Sequence, residues 1–283
     1  MAPAAPEAQG TVLACDIDDT LLAVNSRSPA ERSESDAALQ ELCSVIGQQR
    51  ASGDGALYFG SATGRTLASH KEREGESAAF AAAASIMDFQ ITSVGAAPYL
   101  LTSGEHVPLP GWPDTPNWDR DGVLAALFAH AELTLQPSVA QGPHKVSFNV
   151  HTDTDTGHAD YVNVIASRLA KHAISAQILF SGGVFLDILP VGVNKGTALL
   201  RTVGALAVSS GRLAKGRPLI IAAGDSMNDC DMLQAADRAI LPANSHHSLR
   251  QWAQNAIAPD KLYVAEAKFA AGILEGYRYF TRN

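Results

Sequence analysis

Thr11-Val12-Leu13-Ala14-Cys15-Asp16-Ile17-Asp18-Asp19-Thr20 decides the fold. Its first seven residues are mostly apolar with β-branched members, the pattern of a strand buried on both faces. The apolar run then breaks into acid. Side chains two apart on extended backbone point the same way, so Asp16 and Asp18 converge at the strand's C-terminal end. In open α/β sheets ligands bind at that end. Two carboxylates so close repel each other, and a divalent cation relieves the repulsion. By itself the motif also admits the reading of a solvated acidic turn after a strand.

Outward from this stretch, strand and helix signals alternate. Ser33 to Asp36 offers helix-capping chemistry ahead of Leu39, Leu42, Cys43 and Ile46 at helical spacing. Ala56 to Ala62 and Phe89 to Val94 are further apolar strands. Towards the other end, Lys195 to Val208 is helical, Pro218 to Ala223 is a buried strand, and a helix lies near Asp229 to Ala236. A short strand at Ala239 to Leu241 and a closing helix over Val264 to Phe280 follow. This alternation predicts an α/β fold with a doubly wound, Rossmann-like parallel sheet.

Between Ala97 and Leu189 the texture changes. Pro98, Pro108, Pro110, Pro113 and Pro116 crowd its start, with Trp112 and Trp118 among them. A helix near Asp121 to Ala131, alternating Val146, Phe148 and Val150, a helix near Ala159 to His172, and strands near Ile178 and Phe185 follow. The reading is an α+β module, residues 97–190, inserted into a discontinuous core of residues 1–96 and 191–283.

Composition narrows the function classes. The 283 residues are 46% hydrophobic and 18% charged, enough to bury a full core and too mixed for disorder. With 21 Lys plus Arg against 29 Asp plus Glu the net charge is −8, and no basic cluster interrupts it, which excludes nucleic acid as a partner. The apolar run at Phe80 to Met87 is far short of the roughly 20 residues of a membrane span. MAPAAPEAQG at the start has no basic or apolar signal region. Cys15, Cys43 and Cys230 have no metal-like spacing and fit free thiols in a reducing compartment. A soluble cytoplasmic protein is expected, a monomer for want of an extended exposed apolar stripe.

Three more motifs stand at element boundaries. Ser61-Ala62-Thr63-Gly64-Arg65 combines hydroxyls, a glycine and a following helix, the makings of an anion site or of an ordinary loop. Gly192-Val193-Asn194-Lys195-Gly196-Thr197 puts a lysine at a helix start, against the helix dipole, without the spacing of a nucleotide-binding P-loop. Gly224-Asp225-Ser226-Met227-Asn228-Asp229 supplies hard oxygen ligands suited to Mg²⁺. A carboxylate pair, a hydroxyl, a lysine and a further carboxylate are the parts of a phosphoryl-transfer site.

In order and spacing these motifs resemble the haloacid dehalogenase superfamily of phosphohydrolases. Ile91-Thr92-Ser93-Val94-Gly95-Ala96, His144-Lys145-Val146-Ser147-Phe148 and Asp187-Ile188-Leu189-Pro190 are similar to its sucrose-phosphate phosphatase group, in the Cof-type branch. That branch carries an α/β cap between its second and third motifs. The resemblance spans roughly residues 11 to 280. It departs at two cap positions: His144, where the group tends to carry Trp, and Val184-Phe185, where it tends to carry Lys-Asp.

The resemblance implies a Mg²⁺-dependent sugar phosphatase. Asp16 would attack phosphorus and form an aspartyl-phosphate, and Asp18 would serve as general acid and base. Mg²⁺ would sit on the Asp16 carboxylate, the Asp18 carbonyl and Asp225, while Thr63, Gly64, Lys195 and Asn228 bind the phosphoryl group. Asp229 would orient Lys195 or a metal-bound water. Arg65 and Lys145 are the candidate substrate contacts. The substrate class is a phosphosugar: sucrose 6-phosphate, a related disaccharide phosphate, or a hexose or amino-sugar 6-phosphate. A sugar phosphomutase of the same superfamily and a non-catalytic phosphosugar-binding module are the rivals.

Other signals carry less. Tyr99, Trp112 and Trp118 are either core or stacking surfaces for a sugar. His151 to His158 fails the calcium-loop template, because Val164 stands where a Glu is needed, and reads as a polar loop. Gly224-Asp225-Ser226 resembles the nucleophile block of GDS-type lipases but lacks the following Asp-x-x-His. Cys15 and Cys230 beside predicted catalytic carboxylates read as small hydrophobes rather than a redox pair.

Overall fold

β1 (Thr11–Cys15) is buried along most of its length because helices cover both of its faces. The computed structural model describes residues 10–24, 27–53, 56–128, 130–151, 158–181, 184–210 and 217–282. From β1 the chain runs through α1 (Pro29–Ser52), β2 (Leu57–Ala62), α2 (Leu67–Glu76), α3 (Ala78–Ser85) and β3 (Phe89–Thr92). Next come β4 (Ala97–Thr102), β5 (Glu105–Pro108), α4 (Arg120–Leu127), β6 (Leu133–Leu135), β7 (Val146–Val150), α5 (His158–Lys171), β8 (Gln177–Ser181) and β9 (Phe185–Leu189). It returns through α6 (Lys195–Ser210), β10 (Leu219–Ala223), α7 (Cys230–Ala235), β11 (Arg238–Leu241), α8 (His247–Ala256), β12 (Leu262–Val264) and α9 (Phe269–Thr281).

The larger sheet has eight strands in the order β12-β11-β10-β1-β2-β3-β4-β5. From β12 to β3 every pairing is parallel. Alternation along β1 shows the double winding directly. Leu13 and Cys15 join one core with Leu39, Leu42, Ile46, Phe80, Ile273 and Tyr277 from α1, α3 and α9. Val12 and Ala14 join the other with Leu199, Val203, Met232 and Leu249 from α6, α7 and α8.

α1 begins four residues or more before the expected Ser33 to Asp36 cap. Its N-cap is Ser28, in a reciprocal capping box with Glu31 and with Pro29 in the first turn. The expected closing helix over Val264 to Phe280 is likewise shorter. Leu262–Val264 pairs with β11 as a parallel edge strand, and α9 starts only at Phe269.

β4 and β5 correct the expected boundary at residue 97. Both extend the larger sheet in antiparallel pairings, so Ala97 to Pro108 belongs with the core strands. The prolines read as loop in the sequence, but Pro108 lies on the edge strand, where a missing N–H is tolerated. Ser103 and Gly104 turn the hairpin with φ of 52° and 82°, the two positive values of a tight hairpin turn.

The second sheet is antiparallel, in the order β6-β7-β9-β8. Val146, Phe148, Leu186 and Ile188 pack on one face against Val123, Leu127, Ile165 and Leu169 from α4 and α5. The alternate residues Ser147, Phe185 and Asp187 fall on the opposite face. Much of the His151 to His158 loop lies outside the described residues.

Candidate active site

Asp16 stands at the C-terminal end of β1, where its N–H donates to the Ala223 carbonyl of β10 at 2.9 Å. It is 5% exposed, so its carboxylate needs a buried partner. Lys195 supplies it. The fully buried ammonium donates to Asp16 Oδ1 at 2.9 Å, Asp229 Oδ1 at 2.7 Å and Asn228 Oδ1 at 3.3 Å, using all three of its protons. Gly196, next to it, lets the first turn of α6 press against the Asp231 carbonyl of α7.

The loop after β10 completes this cluster. Asp229 Oδ2 accepts from the N–H groups of Asp225 and Ser226, both at 3.1 Å, so both of its oxygens are engaged within the protein. Asp225, 3% exposed, accepts from Thr20 Oγ1 at 2.8 Å, and its carbonyl accepts from His246 N at 2.8 Å. One carboxylate oxygen from each of Asp16, Asp225 and Asp229 lies within 4.8 Å of the others.

Three buried carboxylates face one ammonium here, and the electrostatics show the imbalance. Burial pushes Asp16 up to about 7 despite the opposing pull of Lys195, with Asp229 and Asp18 adding repulsion. Burial and then the charges of Asp16 and Asp229 push Asp225 well above the usual carboxylate range. Burial works against the Lys195 ammonium, but Asp16 and Asp229 outweigh it and hold it charged. A divalent cation fits this donor set of hard oxygens with surplus negative charge. Asp16 and Asp225 are the carboxylates that would hold it, since Asp229 is committed to Lys195 and two backbone N–H groups.

Asp18 turns away from this cluster. Its carboxylate accepts both fork hydrogens of Arg65, at 2.7 and 2.9 Å, and is not among the three carboxylates gathered there. The next residue, Asp19, has φ of 57°, and Asn244 Nδ2 holds its carbonyl at 2.5 Å while Arg27 pairs with its carboxylate at 2.8 Å.

The loop after β2 lies opposite. Thr63 N and O pair with Ile91 O and Val94 N, and its hydroxyl accepts from Arg65 N at 3.1 Å, keeping the hydroxyl proton free to donate. The segment between β6 and β7 reaches this side of the site twice. Lys145 Nζ donates to the Gly64 carbonyl at 2.7 Å and lies 3.4 Å from Asp187 Oδ1, while Thr66 Oγ1 donates to the Val139 carbonyl at 2.5 Å. Between the two sheets a cavity of about 610 Å³ opens onto Asp16, Asp18, Thr63, Arg65, Lys145 and Asp225.

Over residues 9–281 the sequence matches the family model described as sucrose-6F-phosphate phosphohydrolase. The chain belongs to that family. Sucrose-phosphatase 1 of Nicotiana tabacum is 36% identical over 198 residues, covering 68% of this chain and 44% of that one. Probable sucrose-phosphatase 2 of Arabidopsis thaliana is 32% identical over 238 residues, 80% of this chain and 51% of that one. The chain thus spans about half the length of the curated relatives it matches. The solved sucrose-phosphatase of Synechocystis, in complex with sucrose and phosphate, superimposes with a TM-score of 0.74 at 23% identity, covering 96% of this chain and 98% of that one. A sugar phosphatase of haloacid dehalogenase subclass IIB superimposes with a TM-score of 0.60 at 14% identity, over 95% and 97% of the two chains. The fold is therefore the haloacid dehalogenase core with an inserted cap, the smaller sheet.

Among the residues singled out in this sucrose-phosphatase family member, Asp16, Asp18, Thr63, Gly64, Arg65, Lys145, Asp225 and Asn228 all line the one cavity. Lys195 and Asp229 lie immediately behind it, through Asp16 and Asn228. Arg65 has a partner the sequence did not indicate, the Asp18 carboxylate. Tyr99, Trp112 and Trp118 do not line it. Trp112 Nε1 bonds Gly95 O and Trp118 Nε1 bonds Pro143 O, each at 2.8 Å, and Tyr99 meets His106 edge-on. His144 lines a separate cavity of about 170 Å³ with Tyr99 and Trp112.

Sequence reasoning missed Gln136, Ser181, Asp187 and His246, which also line the main cavity. Asp187 had a usable signal in its alternation with Leu186 and Ile188. Burial raises the thiols of Cys15 and Cys230, the latter to about 12, which keeps both protonated and unreactive. Among the described residues no helix is long and apolar enough to cross a membrane.

Proposed function

We propose that this chain is a Mg²⁺-dependent phosphatase that hydrolyses a sugar phosphate through an aspartyl-phosphate. The observation that carries the reading is the Lys195 ammonium, bound to Asp16 at 2.9 Å and Asp229 at 2.7 Å directly behind a cavity that Asp16 lines together with Thr63 and Gly64. That arrangement suits an attacking carboxylate whose charge Lys195 supports against the cost of burial, with hydroxyl and amide donors nearby for a phosphoryl group.

In the first step an Asp16 oxygen attacks phosphorus and the ester P–O bond breaks. Asp18 donates a proton to the departing sugar oxygen. In the second step Asp18 takes a proton from water, which attacks the aspartyl-phosphate and releases inorganic phosphate. Thr63 Oγ1 and the Gly64 N–H bind the phosphoryl oxygens, Lys195 balances their charge, and Asn228 and Asp229 fix Lys195. The carboxylates of Asp16 and Asp225 and the Asp18 carbonyl would hold Mg²⁺, which would supply charge neutralisation between nucleophile and phosphoryl group.

The polar cap face over the cavity supports a hydroxyl-rich leaving group, because Gln136, Ser181 and Asp187 offer hydrogen-bond partners there. The volume, about 610 Å³, is that of a small-molecule site. Phosphate release from sucrose 6-phosphate, mannosylfructose 6-phosphate, trehalose 6-phosphate, glucose 6-phosphate and an amino-sugar 6-phosphate tests the reading, with Mg²⁺ and with EDTA. Release that needs the metal and vanishes in Asp16→Asn is expected. Wild-type rates in Asp16→Asn would exclude the nucleophile, and isomerisation without phosphate release would make the protein a mutase.

A further inference from the structure

We propose that Phe185 is a specificity-determining residue: its ring is the platform on which a pyranose of the leaving group stacks. The inference rests on the phosphatase reading above and deepens it, assigning selection among phosphate esters to one side chain of the cap.

Register places Phe185 first. It pairs with Asn149 on β7 and Ser181 on β8. Two residues on, Asp187 pairs with Ser147, and residues two apart on a strand share a face. The intervening Leu186 and the following Ile188 are fully buried on the other face, under α4 and α5. Phe185 therefore stands on the cap face that looks onto the catalytic cavity, and it lines that cavity together with Gln136, Lys145, Ser181 and Asp187.

Exposure separates it from ordinary packing. Phe185 is 47% exposed, whereas Phe148, on the face under the helices, is 2% exposed. A lone exposed apolar residue needs no explanation on a protein surface. Phe128, Val191 and Val208 are more exposed still, yet none of them lines the cavity. Among the described residues Phe185 is the one large, exposed apolar side chain that does.

The surroundings name the ligand chemistry. A pyranose presents a flat patch of axial C–H bonds on its face and hydroxyl groups around its edge. An aromatic ring covers the first, and donors and acceptors at its margin satisfy the second. Asp187 Oδ1 accepts from Ser147 Oγ at 2.5 Å and faces Lys145 Nζ at 3.4 Å, so its second oxygen remains an acceptor for a sugar hydroxyl. An acyclic leaving group such as glycerol has no such face and gains nothing from the ring.

The experiment compares wild type, Phe185→Ala and Phe185→Tyr on glucose 6-phosphate, sucrose 6-phosphate and glycerol 3-phosphate. The expected result is a fall of about fivefold to tenfold in the ratio of kcat/KM for pyranose-containing over glycerol esters in Phe185→Ala, carried by KM. Phe185→Tyr, which keeps the ring, should hold the ratio near the wild-type value. An unchanged ratio in Phe185→Ala, whether or not overall activity falls, would overturn the platform. Calorimetric titration of the same phosphates into Asp16→Asn and into Asp16→Asn with Phe185→Ala reads the platform without turnover. Equal affinities in that pair would overturn it too, whereas wild-type protein that binds these phosphates without hydrolysing them would overturn the phosphatase reading instead.

Discussion

Arg65 grips Asp18 with two parallel hydrogen bonds, Nε to Oδ2 at 2.7 Å and Nη2 to Oδ1 at 2.9 Å. The same guanidinium donates to Ser69 Oγ at 3.0 Å, and the Arg65 N–H donates to Thr63 Oγ1 at 3.1 Å. One residue thus ties the proposed acid–base carboxylate to the loop that receives the phosphoryl group. The sequence suggests Arg65 as a substrate contact; its pairing with Asp18 supports the proposal that it acts as a positioning residue.

Removing that grip should damage turnover more than binding. Arg65→Met is expected to lower kcat by about tenfold to a hundredfold, up to the roughly hundredfold lower end of what general acid–base catalysis supplies, because the carboxylate is misplaced rather than removed. Arg65→Lys should recover little, because an ammonium cannot make the paired fork contact. Steady-state phosphate release checks this, and a change confined to KM would return Arg65 to the substrate contacts.

The surplus of carboxylates around Lys195 should make folding sensitive to metal. Binding that favours the folded state adds about 2.7 kcal/mol at a cation concentration a hundredfold above Kd. Mg²⁺ should therefore raise Tm by several degrees, and EDTA should reverse it. Asp225→Asn should abolish the Mg²⁺-dependent rise while melting no lower than metal-free wild type, since it removes one of the repelling charges. Thermal unfolding of both proteins with and without Mg²⁺ decides; a full metal-dependent rise in Asp225→Asn would remove Asp225 from the cation site.

His70 gives stability a pH dependence of its own. Its ring is fully buried between Ser61 Oγ at 3.4 Å and Glu74 Oε1 at 2.9 Å, against Phe80. Burial lowers it to about 4, with His106 and Arg65 pushing the same way. The unfolded ring titrates near 6.5, so between about 6.5 and 4 the unfolded chain binds the extra proton. The contribution is complete above about pH 6.5 and drains away as pH falls toward 4, by roughly 3 kcal/mol at most. Urea unfolding of wild type and His70→Gln across that window should show a shallower slope in the variant; parallel slopes would refute it.

Gly196 is a tight point beside Lys195. A Cβ there would overlap the Asp231 carbonyl, so Gly196→Ala must push α6 off α7 and carry Lys195 away from Asp16. The expected cost is about 1–3 kcal/mol of stability, the usual price of overpacking, with a drop in kcat. A wild-type unfolding midpoint together with wild-type kcat would show that the contact is not needed.

Local patterns determined much of this protein. The apolar run into Asp16 and Asp18, the Thr63-Gly64 turn, Lys195 at a helix start and Asp225 after a buried strand are each complete within about ten residues, and their chemistry is legible wherever the chain places them. The tertiary structure decided what lies between distant segments. Ser103-Gly104 turned a proline-rich stretch into two core strands. Arg65 met Asp18 across 47 residues and Lys145 met Gly64 across 81. Phe185 acquired its place over the cavity through pairing with β7 and β8. Strand register and ion pairing depend on which surfaces are buried against each other, and a short window of sequence carries the chemistry of a side chain without the partner that burial assigns to it.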